Sequence, residues 1–461
     1  MRQYIFLLSC MLTLAARSLA ATQTPLPREI MAEVDATAEE WLLATGAPSA
    51  SIAIVKDGRL VYAQAYGSAR FDPLTPATPS TRYAIDSVSK EFTAAAILIL
   101  AERGKLKLDD PAGKYLPDLG PASRVTIRQL LTHTAGLRDF WPQDYVPPEM
   151  ARPTTTAAII REWADRPPDF AAGTDWQYSN TGYVVAGAIV EKITGKALMP
   201  FLRKQIFQPL KMERVTEDDT APFASPDAAA YTRFGLGPVR PAPKEGAGWL
   251  FGASELAMQP SDLALWDISL IDRSLLSEES YKAEFEPIVL KDGTSKHYGL
   301  GLDIEEEQGR HRIGHDGGGS GFLAANRIWP DDKAAIVVLT NNDWANPADL
   351  LDRLAFLILP PRPEEARARK VFAGFQTGEV DRSLFTDNGN SFLTRSALDD
   401  MKASLGNLGP ARLIALDRES RRGGMITRHW KILCRDRRLH AVERGYPDGR
   451  LEQFMVSAAG D

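Results

Sequence analysis

Apolar positions recur at helical spacing from Met31 to Leu43, and the pattern then changes period. Ser51-Ile52-Ala53-Ile54-Val55 and Leu60-Val61-Tyr62-Ala63 read as two strands joined by the turn Lys56-Asp57-Gly58-Arg59. A second hairpin is predicted late in the chain, Phe322 to Trp329 and Ala334 to Leu339, around Pro330-Asp331-Asp332-Lys333. Between the hairpins the pattern is mostly helical: Glu91 to Arg103, Ile127 to Leu131, Thr155 to Trp163, Gly182 to Ile193 and Pro260 to Ile271. Strands at both ends with helices between them predict an α+β fold, an α/β sandwich in which one antiparallel sheet is flanked by helices and carries an inserted helical region.

Residues 359–367 begin Leu359-Pro360-Pro361-Arg362-Pro363 and have the composition of a linker. Beyond them, 368–461 mix a helical stretch, Thr394 to Leu405, with strand-like pieces at Leu413 to Leu416, Trp430 to Leu433 and Leu451 to Val456. This predicts a small α+β C-terminal domain. At the other end, Arg2, an apolar run from Tyr4 to Ala16 and the small residues Ser18-Leu19-Ala20-Ala21 read as a signal peptide, 1–20, cut near Ala20. A lipoprotein box at Leu7-Leu8-Ser9-Cys10 is the weaker alternative. The mature protein is expected to be secreted or periplasmic, with a catalytic domain over 21–358.

Composition narrows the chemistry. Of 461 residues, 44% are hydrophobic and 25% charged, which excludes disorder and coiled coil. Cys10 leaves with the signal, so Cys434 has no partner for a disulfide. Six histidines without cysteine partners leave little for a metal site, and no metal or cofactor is expected. The net charge is −6, yet residues 412–450 hold eleven Lys and Arg against five Asp and Glu. A nucleic-acid partner is not expected in an exported protein; this basic stretch reads as a solvated face with, at most, weak attraction to an anionic cell wall or membrane.

Three segments carry candidate chemistry. Tyr83-Ala84-Ile85 runs as a strand into Asp86-Ser87-Val88-Ser89-Lys90 at the start of a helix. Three residues apart, Ser87 and Lys90 share one helix face, so the amine can take the hydroxyl proton and the helix-end amides can face an oxyanion. Asp86 is the expected helix cap. Tyr178-Ser179-Asn180 sits on a polar loop that opens into a helix, with Tyr178 a candidate proton relay and Asn180 a candidate donor to a substrate amide. Gly314-His315-Asp316-Gly317-Gly318-Gly319 has the glycine density of a strand edge that approaches a ligand closely. Alternation along that strand should turn Asp316 away from the cleft.

In order and spacing these segments, with Gly104 to Pro111, Ile127 to Leu137 and Tyr298-Gly299-Leu300-Gly301, resemble the serine β-lactamase and penicillin-recognising superfamily. The branch resembled contains class C β-lactamases, soluble DD-carboxypeptidases and family VIII-type esterases, and the resemblance covers roughly 30–355. It implies Ser87 as acylated nucleophile, Lys90 and Tyr178 sharing base and acid roles, Asn180 on the substrate amide, and the amides of Ser87 and Gly318 as oxyanion hole. His315, with Gly317 beside it, would stand at the substrate where β-lactamases carry the lysine of Lys-Thr-Gly. His133 reads as structural. An imidazole at His315 in place of that lysine removes a permanent positive charge from the place where a substrate carboxylate would bind. The resemblance therefore implies a hydrolase of a small peptide, ester or β-lactam, most like a D-alanyl-D-alanine carboxypeptidase. An esterase or weak β-lactamase, and a penicillin-recognising binding protein without turnover, are the alternatives.

Overall fold

A computed structural model describes residues 25–459 apart from 221–222, 308–309 and 436. The predicted signal peptide, 1–20, lies outside the described residues. The elements that position the site are helices α1 (Arg28–Thr45), α2 (Ser89–Glu102), α3 (Ile127–Leu131), α4 (Asn180–Thr194), α5 (Pro260–Asp272) and α6 (Pro347–Ile358). The strands are β1 (Ser49–Lys56), β2 (Arg59–Phe71), β3 (Leu74–Pro76), β4 (Asp303–Glu307), β5 (Arg310–Gly319), β6 (Phe322–Trp329) and β7 (Ala334–Thr340).

These strands form one seven-stranded antiparallel sheet in the order β3-β2-β1-β7-β6-β5-β4. An early and a late strand of this part of the chain meet in its centre, where β1 pairs with β7 from Ala50 opposite Thr340 to Val55 opposite Ala335. Both strands are continuous apolar runs because both faces of the sheet are covered. Ile52, Ile54, Ile336 and Val338 pack with Trp41 of α1 and Leu350 and Leu354 of α6. Ala53, Val55, Val337 and Leu339 face the larger core, with Phe92 of α2 and Trp266 of α5. The first hairpin turns at Asp57 and Gly58, whose φ values of 53° and 70° are those of the tight two-residue turn that Asp-Gly favours.

Beyond the sheet lie α7 (Pro363–Thr377), α8 (Arg395–Leu405) and a separate four-stranded antiparallel sheet, β8 (Leu413–Arg422), β9 (Met425–Cys434), β10 (Arg437–Gly445) and β11 (Leu451–Ala458). This part has its own core around Phe372, Phe375, Trp430 and Phe454. Two sequence expectations differ here. Residues 363–367, read as linker, are the first turn of α7: Pro363 stands at its N-terminus, where the missing N–H costs nothing. Strand β10 departs from the expectation because Arg437, Arg438 and Arg444 break the apolar pattern, while the buried positions are Leu439, Ala441, Glu443 and Gly445.

Candidate active site

Ser87 occupies a single 3₁₀ turn, Asp86–Val88, between a short strand at Tyr83–Ala84 and α2. The Ile85 N–H donates to the Leu256 carbonyl at 3.0 Å, the Leu256 N–H to Ser89 Oγ at 3.1 Å, and Thr93 Oγ1 to the Gly252 carbonyl at 2.7 Å. Loop 252–256 is thereby stitched to the start of α2. Asp86 does not cap the helix. It adopts φ 45°, its carboxyl is buried with Oδ2 unpartnered, and burial pushes its pKa well above the usual carboxylate range.

Lys90 is fully buried one helical turn on. Its Nζ donates to Ser87 Oγ at 2.9 Å, to Asn180 Oδ1 at 2.8 Å and to the Ala253 carbonyl at 3.0 Å. It also lies 4.9 Å from the ring centre of Tyr178. Burial pulls the ammonium down to about 7, against the opposing pull of Asp139 and Asp86, so a large fraction is neutral at physiological pH. Tyr178 meets Ser87 through a side-chain hydrogen bond, and its phenol is raised by desolvation, so it stays protonated. One hydroxyl thus faces an amine able to accept its proton and a phenol able to supply one.

Asn180 opens α4, and both ends of its amide are engaged. Its oxygen accepts from Lys90, and its Nδ2 donates to both oxygens of Asp139 at 3.2 Å. Asn180 thus orients Lys90, is held by Asp139, and lines the cleft. Asp139 also accepts from the Asn180 and Trp141 backbone amides. Sequence reasoning missed it, although it stands two residues beyond the Ile127 to Leu137 segment, because nothing in its spacing distinguishes it from a surface carboxylate.

The structure corrects the expectation for His315. The imidazole is buried and is not among the side chains that line the cleft. Its Nδ1 lies 2.5 Å from the Asp316 carbonyl and so carries the proton, leaving Nε2 to accept from the Tyr298 hydroxyl at 3.0 Å. Desolvation, reinforced by Lys90, lowers it to about 4, so the ring is neutral. His133 is likewise interior, stacked 4.3 Å from the Tyr178 ring centre, with Nδ1 accepting the Ser179 N–H at 3.1 Å.

Strand β5 meets the Ser87 turn through its glycines. A Cβ on Gly317 would lie 2.1 Å from the Ile85 carbonyl oxygen, and one on Gly319 2.2 Å from Asp86 Oδ1. Since β4 pairs only with Arg310 to Gly314, residues 315–319 form a free sheet edge. There the backbone groups pointing away from β6 are open to the cleft. Alternation turns Asp316 to the face opposite His315, as expected, yet the cleft wraps around this narrow edge and Asp316 lines its rim.

The cleft measures about 870 Å³ and is bounded by Ser87, Tyr178, Asn180, Gly317 to Gly319 and the loops carrying Trp141 and Trp344. Its charged lining residues are Asp139, Asp144, Asp316 and Asp343, with no Lys or Arg among the described residues that line it.

The family model for beta-lactamase matches residues 28–358. The chain belongs to that family. Among curated relatives, a D-aminopeptidase of Brucella ovis is 29% identical over 335 residues, which are 71% of this chain and 63% of the relative. The chain thus spans less than two thirds of the length of that relative. A D-stereospecific amidohydrolase from Streptomyces sp. superposes with a TM-score of 0.61 at 26% identity, covering 70% of this chain and 98% of that one. The octameric penicillin-binding protein homologue from Pyrococcus abyssi gives a TM-score of 0.62 at 22% identity over 92% of this chain and 99% of that one, a likeness of fold.

Proposed function

We propose that the protein is an exported serine amidohydrolase working through an acyl-enzyme on small amides or peptides of D-amino acids. The 2.9 Å hydrogen bond from a buried, partly neutral Lys90 to Ser87 carries this reading. Ser87 Oγ attacks the amide carbonyl as its proton passes to Lys90. The Ser87 and Gly318 amides face the developing oxyanion, and Tyr178, protonated throughout the neutral range, relays a proton to the departing amine. Water then takes the place of the amine and releases the acid. Asp139 and Asn180 hold Lys90 in position.

The D-amino acid preference rests on the relatives, a D-aminopeptidase and a D-stereospecific amidohydrolase. Carboxypeptidase action is the second reading, because the cleft wall is acidic and His315 is neutral, leaving no lining cation among the described residues to receive a substrate carboxylate. The same point weighs against efficient β-lactam hydrolysis. Turnover of D- and L-alanine p-nitroanilide, a D-alanyl-D-alanine peptide, a p-nitrophenyl ester and nitrocefin, run side by side, tests the proposal. Faster D-anilide turnover supports it, and exclusive ester or nitrocefin turnover refutes it. Intact mass after fluorophosphonate treatment must show one adduct that Ser87→Ala abolishes. Export rests on residues 2–21, and N-terminal sequencing of the protein recovered outside the cytoplasm checks it.

A further inference from the structure

A second, smaller cavity of about 100 Å³ lies beside the cleft, lined by Asp303, Glu305, Arg312, Gly314, Asp316 and Arg327 among others. Asp316 lines both spaces. In the β5–β6 register Asp316 stands opposite Ala325, and Gly314 opposite Arg327, so Asp316 and Arg327 are diagonal neighbours on one face of the sheet. Both Arg327 Nη atoms grip the two Asp316 oxygens, Nη2 at 2.7 Å. The carboxylate is 50% exposed and the guanidinium 12%, and of the two only Asp316 is among the residues that line the cleft.

We propose that Asp316, gripped by Arg327, is a specificity-determining residue that excludes substrates carrying a carboxylate on the leaving-group side, and that removing it unmasks Arg327 as a carboxylate receptor. The inference rests on the amide-hydrolase reading above. Asp316 is two residues from Gly318, about 7 Å along an extended strand. The carboxylate of a residue just beyond the scissile bond would come within that range, where like charges repel and opposite charges attract. Glu305 pairs with Arg312 beside the small cavity, and the half-buried Asp303 lies within charge range of Arg327. Arg327 is therefore held among acids, and it lines the small cavity while Asp316 lines both that cavity and the cleft. Neutral amide or peptide-amide leaving groups meet no such repulsion.

The test compares D-alanyl-D-alanine free acid with D-alanyl-D-alanine amide on the full chain. Wild type should favour the amide by at least about tenfold in kcat/KM. Asp316→Asn should raise the acid-to-amide ratio by about fivefold or more, Asp316→Glu should keep the wild-type ratio, and Asp316→Asn with Arg327→Gln should lose the gain. Asp316→Ser serves as a second variant should the asparagine form fold poorly. Protection of Ser87 from fluorophosphonate labelling by the acid or the amide reads the same preference without turnover. A ratio unchanged in both Asp316→Asn and Asp316→Ser, or a wild type indifferent to the carboxylate in both assays, overturns the inference while leaving the amidohydrolase reading standing. If the wild type turns over neither dipeptide, D-anilides included, the amidohydrolase reading itself fails, and labelling protection still decides the role of Asp316.

Discussion

Gly317 lies so close to Ile85 that a side-chain carbon at this glycine would sit 2.1 Å from the Ile85 carbonyl oxygen. This approach sets the free edge of β5 against the turn that carries Ser87. The obstructing atom is backbone and cannot rotate away. Gly317→Ala should cost about 1–3 kcal/mol of stability and, by shifting the edge from Ser87, lower kcat/KM roughly 100-fold. Denaturant melts and initial rates on a D-anilide measure both. An alanine variant with wild-type activity would show that the edge does not position the reacting groups.

The pH dependence of kcat/KM should follow Lys90. With its ammonium held at about 7, activity should rise with pH through an apparent pKa near 7. His315, lowered to about 4, should add nothing between pH 6 and 8. Lys90→Met should remove acylation, and His315→Gln should leave the acid limb in place. A limb centred near 6.5 that vanishes in His315→Gln would assign it to the imidazole instead.

Asp139 opposes the desolvation of Lys90 through its charge and holds Asn180 by hydrogen bonds. Asp139→Asn keeps the shape and deletes the charge. The amine then loses a group that favours its protonated form, so the acid limb should move to lower pH while maximal kcat/KM falls. A limb moving upward would contradict the placement of that carboxylate.

Glu284 is completely buried and neither carboxyl oxygen has a partner; burial raises its pKa well above the usual range. The folded protein keeps this proton at pH values where the unfolded chain, near its ordinary value of about 4.3, has released it. Unfolding then releases a proton, so stability from this group is lost as pH rises above that value. Glu284→Gln cannot ionise, and its melting temperature should gain on wild type as pH rises above about 5. Parallel curves would show that Glu284 finds a charge partner.

The C-terminal part has its own core, and α7 begins directly after the proline stretch. A chain ending at Leu359 keeps both faces of the main sheet covered and should fold, with a cooperative melt and retained fluorophosphonate labelling. Contacts such as Arg310 to the Pro360 carbonyl would be lost at small cost. Insolubility of that truncation would show that the C-terminal part completes the main core.

Much of the architecture was legible because the relevant signals are local. The Asp57-Gly58 hairpin, the continuous apolar runs of β1 and β7, and the Ser87 and Lys90 spacing at the start of α2 each follow from a few neighbouring residues. What escaped the sequence depends on distant partners. Asp139 matters only because folding carries it to Asn180 and Lys90, and Asp86 fails as a cap because its backbone takes a left-handed turn under Gly319. His315 lies on the expected strand, but Tyr298 and the Asp316 carbonyl occupy its nitrogens.

By itself the sequence determined the fold class, the antiparallel sheet and the pairing of a hydroxyl with an amine one helical turn apart, because hydrophobic period and helix geometry act over a few residues. Only the tertiary structure decided how those groups are charged and what they can meet. Burial lowers Lys90 and His315, and the free edge of β5 brings Asp316, gripped by its arginine, to the cleft rim. Solvation and charge pairing depend on everything packed around a group, and that surrounding exists only once remote parts of the chain have come together.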